Sequence, residues 1–78
     1  MTKELYNMFM TSAEADKAKA LLSLDLLGNK GVGIGDHSTG DFYKNAEEAL
    51  LMLVDADDRI TCLNTYYSKF KSKSQING

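Results

Sequence analysis

The sequence predicts an all-α fold, an antiparallel two-helix hairpin whose helices are joined by a glycine-rich loop. Two observations lead to this prediction. The 78 residues include no proline, so nothing in the chain forbids long helices. Five of the six glycines fall between Gly28 and Gly40, which leaves one glycine-free segment on each side of a single flexible connection.

The first segment predicts a helix over about residues 2–27. A stripe of residues recurs there at spacings of three and four, the period of one helical face, and we expect it to face the second helix. A kink or a helix restart within Met10–Glu14 is an alternative, because that stretch contains a capping-box pattern. Ala13, Ala20 and Leu24 widen the stripe and Lys17 lies outside it. Gly28 with Asn29 predicts a positive-φ exit after the helix. The stripe consists of Met1, Leu5, Met8, Ser12, Ala15, Ala18, Leu22 and Leu26.

The second segment predicts a helix over about residues 40–70, followed by a polar, frayed tail at 71–78. Nine residues alternate spacings of four and three without interruption, which is a heptad-type seam over four heptads. The acidic stretch Asp55–Asp58 offers a helix break as an alternative, but Ala56 stays in register and favours one continuous helix. Cys62 is interpreted as a small buried hydrophobic side chain. The seam consists of Phe42, Ala46, Ala49, Leu53, Ala56, Ile60, Leu63, Tyr67 and Phe70.

The length of the chain predicts assembly. Below about 70–80 residues a single core rarely supplies more than about 3–5 kcal/mol, and one cysteine cannot form an intrachain disulfide. Several apolar residues, among them Leu21, Leu51 and Tyr66, also lie off the two stripes. We therefore expect one domain over residues 1–78, completed by homo-oligomerisation as a four-helix bundle or a larger ring.

Composition excludes several classes of function. A net charge of −2 and a pI near 5.2 argue against general nucleic-acid binding. The longest apolar run, residues 49–54, is far shorter than the roughly 20 residues that cross a bilayer, so we expect no membrane association. An unpaired cysteine fits the cytoplasm. No pair of groups supplies nucleophile and base, and no calcium-loop or zinc pattern occurs, so we expect no enzyme, no metal and no cofactor.

The glycine-rich loop is the candidate ligand site. Alternate glycines let backbone N–H groups turn towards a ligand, and the following helix N-terminus favours anions. This pattern predicts a small anionic or nucleotide ligand, although the Walker and Rossmann spacings are absent. The alternative is that the loop only reverses the chain, with Ser38 capping the second helix and Asp41 completing a capping box. The candidate ligand-binding residues are Lys30, Gly31, Gly33, Gly35, His37, Ser38 and Thr39.

The stretch Gly31–Tyr43, running on to Asp55–Arg59, resembles small accessory proteins of T4-like tailed phages. The resemblance implies a phage protein that acts in the host cytoplasm. In size and hairpin form the chain is also similar to phage anti-defence sponges, which implies sequestration of a nucleotide signal. The alternative is a protein–protein interaction module that docks a host protein or a phage assembly through its helices.

Overall fold

The structure, a computed structural model, describes residues 1–30 and 39–71. Two α-helices of 28 residues each, α1 (Lys3–Lys30) and α2 (Thr39–Tyr66), are followed by a short 3₁₀ turn at Ser68–Phe70. Each helix is about 42 Å long at 1.5 Å per residue. The described residues contain no strand, so the predicted all-α fold is confirmed.

The helix α1 starts at a side-chain cap and runs further than predicted. The Leu5 N–H donates to Thr2 Oγ1 over 3.1 Å, which satisfies one of the free donors of the first turn. The helix is continuous through Met10–Glu14, so the alternative of a helix restart there is wrong. It also continues through Gly28, which has no positive φ, so the predicted exit is wrong. Glycine permits a positive φ but does not require one, and a helical φ is equally accessible to it.

The helix α2 is continuous through Asp55–Asp58, which confirms the preferred interpretation of that stretch. It ends at Tyr66, four residues before the predicted end. Tyr67 leaves the helical region with φ −131° and ψ 28°, and the Phe70 N–H donates to the Tyr67 carbonyl over 3.0 Å. The tighter turn keeps Phe70 on the inner side of the hairpin, where its ring lies 5.9 Å from that of Tyr6.

The two helices are antiparallel. Tyr6, near the start of α1, contacts Phe70 after the end of α2, and Lys17 in the middle of α1 pairs with Asp57. Residue numbers therefore rise along α1 while those of their partners fall along α2. The predicted hairpin is confirmed for the described residues.

The seam predicted for α2 is confirmed. All nine of its residues are buried or half-buried, and Ala49, Ala56 and Leu63 are the most enclosed. The spacing of four and three keeps this seam facing α1 along the whole helix.

The stripe predicted to be the inner face of α1 is wrong in its eight main residues, because all eight are exposed. Of the predicted face, only the widening residues Ala13, Ala20 and Leu24 lie on the inner side. A second stripe with the same spacing faces α2 instead, and it includes Lys17, which was expected outside the contact. The inner stripe contains two alanines that are fully buried, and small side chains allow α2 to approach closely. The inner residues of α1 are Tyr6, Met10, Ala13, Lys17, Ala20, Leu24 and Leu27.

The core between the helices is small. Six hydrophobic residues are buried, and four of them are alanines; the other two are Tyr6 and Leu63. Among the described residues no large side chain is completely enclosed. A two-helix core of this kind removes little apolar surface from water, so most of the larger apolar side chains remain outside it.

Candidate functional site

The structure describes only the two edges of the predicted ligand site. Lys30 is the last residue of α1 and Thr39 is the first residue of α2. The other candidates, Gly31, Gly33, Gly35, His37 and Ser38, lie outside the described residues, as does the proposed cap by Ser38. The loop site therefore stays a prediction.

The most prominent surface of the described residues is the outer face of α1, by which we mean Met1, Leu5, Met8, Ser12, Ala15, Ala18, Leu22 and Leu26. Its large side chains are strongly exposed, with Leu22 at 59%. Their spacing of three and four aligns them along one side of the helix. Ser12 interrupts this row, and exposed Phe9 and Leu21 flank it. An exposed apolar surface of this kind is typical of a contact with another polypeptide.

The outward side of α2 carries a row of exposed residues spaced seven apart. Lys44, Asp58 and Thr65 recur there every seven residues and are all exposed. Leu51 occupies the remaining position of this row, and it is 67% exposed. Its row neighbours are polar, but beside this row α2 exposes further apolar side chains, among them Tyr43, Leu50 and Val54. Both helices therefore expose apolar side chains.

One lateral side of the hairpin carries an ion-pair cluster around Arg59. The Nη2 of Arg59 donates to Asp16 Oδ2 on α1 over 2.7 Å, and its Nε donates to Asp55 Oδ2 one turn earlier over 3.0 Å. Lys19 Nζ lies 4.0 Å from Asp16 Oδ1. Arg59 thus bridges the two helices of one chain. A planar guanidinium has several N–H donors and can donate hydrogen bonds to two carboxylates at once in this way.

The cluster keeps Arg59 charged. The hydrogen bond to Asp16 is the largest contribution that raises the pKa of Arg59, the attraction of both carboxylates adds to it, and desolvation acts in the opposite direction. Because the pKa is raised, the contribution of the arginine charge is fully present below the ordinary arginine value and is lost in strongly alkaline solution. The guanidinium is therefore charged at neutral pH.

A second ion pair lies on the opposite lateral side, where Lys17 Nζ is 3.1 Å from Asp57 Oδ1. All three carboxylates of the stretch Asp55–Asp58 are exposed. Two of them, Asp55 and Asp57, have basic partners. Among the described residues no group of three or more potential ligands could hold a metal ion.

An apolar groove of ≈ 300 Å³ opens beside the Arg59 cluster and is lined in part by Met1, Phe9, Cys62 and Tyr67. Cys62 is exposed in it, so the prediction of a buried cysteine is wrong. The reason is its register, because Cys62 directly precedes the inward Leu63 and its side chain points to one side. Met1 belongs to both surfaces, so the groove adjoins the outer face of α1.

The sequence did contain a signal for the correct face of α1. Asp16 and Lys17 are adjacent on α1, and Asp57 and Arg59 follow in the same order of charge on α2. In an antiparallel pair such an order places each acid opposite a base of the other helix. That complementarity selects the alanine-containing stripe, whereas counting apolar residues selects the outer one.

Neither described helix combines the length and apolar composition needed to cross a membrane. No protein family, curated protein or solved structure matches this chain.

Proposed function

We propose that this chain is a non-enzymatic association module, which works by packing the outer face of α1 against an apolar surface of another polypeptide. The observation that carries the proposal is the exposed line of methionines and leucines along α1, from Met1 to Leu26. Helical recognition of this kind uses apolar anchors at spacings of three and four residues. The core between the helices is small and supplies little stability, so covering the same surface adds to the stability of the folded chain.

The non-enzymatic part of the proposal is supported by the chemistry of the described polar residues. Asp16, Lys17, Asp57 and Arg59 are engaged in ion pairs that join the helices. A catalytic group needs a partner and a position facing substrate, whereas these groups face one another. We propose the cytoplasm as the place of action, because the exposed thiol of Cys62 suits a reducing compartment.

The proposal is tested by placing a photo-crosslinking residue at Met8 in cells that express the full chain. The matched control places the same residue at Thr65, on the outward side of α2. We expect a discrete covalent adduct, identified by mass spectrometry, from Met8 and none from Thr65. No adduct from Met8, or equal adducts from both positions, would contradict the proposal.

Ligand binding by the glycine-rich loop is kept as a separate hypothesis, because the structure describes no contact that bears on it. Thermal-shift screening of nucleotides and cyclic nucleotides tests it. A ligand that raises the Tm of the wild-type chain but not that of Lys30→Ala/His37→Ala would support an anion site. If no nucleotide changes the Tm of the wild-type chain, sequestration of a nucleotide signal is excluded.

A further inference from the structure

We propose that the polypeptide covering the outer face of α1 is a second copy of this chain, so that two hairpins form a symmetric dimer with their α1 helices packed antiparallel. This inference rests on the proposed function and specifies its partner. It assigns an interface to residues that lie outside the core between the helices.

The exposed apolar side chains of the outer face are the first argument. Leu5 is 39%, Met8 is 56% and Leu22 is 59% exposed. Removing apolar side chains from water is the main favourable contribution to most protein association. A second copy that packs along this face covers all three at once.

The second argument is that the outer face of α1 is complementary to itself in the antiparallel direction. Its large side chains lie at the two ends of the helix and its small ones, Ser12 and Ala15, lie in the middle. Turning one copy by a two-fold rotation near the centre of α1 brings Leu5 of each copy opposite Leu22 of the other. The small residues then meet at the axis and permit close approach of the two helices.

Charge selects the antiparallel orientation. Lys19 lies beside Ala18 of the outer face, between Ala15 and Leu22, and its side chain is exposed. In a parallel pair the two Lys19 side chains would meet in one layer, and like charges so placed repel. In the antiparallel pair each Lys19 lies opposite Met8 of the other copy, whose flexible side chain can pack along the lysine stem.

The two-fold symmetry of the contact closes the assembly at two copies. A contact that uses the same patch on both copies is satisfied by two subunits and leaves no patch for a third. The apolar side chains that α2 exposes, among them Tyr43, Leu50 and Val54, lie outside this contact. The dimer is therefore a four-helix assembly in which the α1 helices are central and the α2 helices are peripheral.

The experiment measures the mass of the full chain by sedimentation velocity over a range of concentrations. We expect a dimer for the wild type, a monomer for Leu22→Lys, and a dimer for the matched control Leu51→Lys. The control introduces the same charge at an equally exposed leucine on α2. A monomeric wild type, or dissociation by Leu51→Lys and not by Leu22→Lys, would overturn the proposal.

A second measurement does not depend on the folding of Leu22→Lys. In a Cys62→Ser background, chains carrying Leu5→Cys are mixed with chains carrying Leu22→Cys and oxidised. We expect a disulfide between unlike chains and little between two Leu5→Cys chains, which lie far apart in an antiparallel pair. Efficient self-crosslinking of Leu5→Cys would overturn the antiparallel arrangement.

Failure of this inference can be told apart from failure of the proposed function. A monomeric chain that still forms an adduct with a different protein from Met8 removes the dimer and leaves the association module. A chain that neither dimerises nor forms an adduct from Met8 removes both.

Discussion

At the scale of single residues, Gly28 shows that a glycine need not adopt the positive φ that its backbone permits. It lies within α1 at a helical φ, and a Cβ built on it meets no atom within 4 Å. Glycine in a helix loses more backbone entropy on folding than alanine does. This position therefore lowers stability without a compensating contact among the described residues.

The substitution Gly28→Ala is expected to raise the free energy of unfolding by about 0.5–1 kcal/mol, because alanine is the better helix former and fits the space. Urea denaturation at fixed chain concentration measures the change. A loss of stability would mean that residue 28 has the positive φ expected from the sequence, since alanine is strained there.

Arg59 shows how one side chain joins two helices. The pair with Asp16 crosses between helices, whereas the pair with Asp55 lies within α2. Removing a contact between the two helices weakens their packing against each other. Removing a contact within one exposed turn of a helix changes the stability of the protein little.

We expect Asp16→Asn to lower the Tm more than Asp55→Asn, because only the first change weakens the link between the helices. A double-mutant cycle with Arg59→Gln measures the coupling in each pair. The coupling with Asp16 is expected to be the larger and to shrink as salt is added, since salt screens exposed charges. Equal coupling in the two pairs would refute the role given to Asp16.

At the scale of elements, the 3₁₀ turn closes the end of the hairpin where α1 begins. The rings of Tyr6 and Phe70 are 5.9 Å apart and inclined by 30°, and Tyr6 is only 3% exposed. Lys69 Nζ lies 5.2 Å from the centroid of the Phe70 ring. A continuous helix through residue 70 was predicted, but α2 ends at Tyr66 and the 3₁₀ turn brings Phe70 into contact with Tyr6.

The substitution Phe70→Ala is expected to lower the free energy of unfolding by about 1–3 kcal/mol, because it uncovers Tyr6 and removes an aromatic pair. Tyr66→Ala is the matched control, since Tyr66 is 73% exposed, and we expect it to change stability by less than about 0.5 kcal/mol. Chemical denaturation of the two variants compares them. Similar losses in both would show that the turn does not cover Tyr6.

At the scale of the whole molecule, stability and assembly are coupled. A small core dominated by alanine leaves much of the apolar surface to be covered by another chain. Association that occurs only in the folded state stabilises that state by mass action, so the Tm depends on protein concentration.

We expect the wild-type Tm to rise as the chain concentration increases from the low to the high micromolar range, because dimerisation draws the equilibrium towards the folded state. The Tm of Leu22→Lys is expected to vary much less over the same range, and Leu51→Lys is expected to follow the wild type. Circular dichroism melts measure this dependence. A wild-type Tm that does not change with concentration would refute the coupling.

Much of the fold was predictable because it depends on local chain chemistry. The absence of proline, the cluster of glycines and the unbroken period of α2 are properties of the sequence alone. They predicted two helices, their approximate bounds and the inner seam from Phe42 to Phe70. In the structure both segments are helical and the seam residues are buried or half-buried.

The face of α1 could not be chosen from its own sequence, because two stripes with the same spacing compete in it. One carries the larger apolar side chains, from Met1 to Leu26. The other carries Ala13 and Ala20, together with a lysine that finds its acid on α2. Only the tertiary structure decided between them, because close packing and paired charges are properties of two helices together. The stripe with the larger apolar side chains therefore lies on the outside of the hairpin, where it forms the candidate interface.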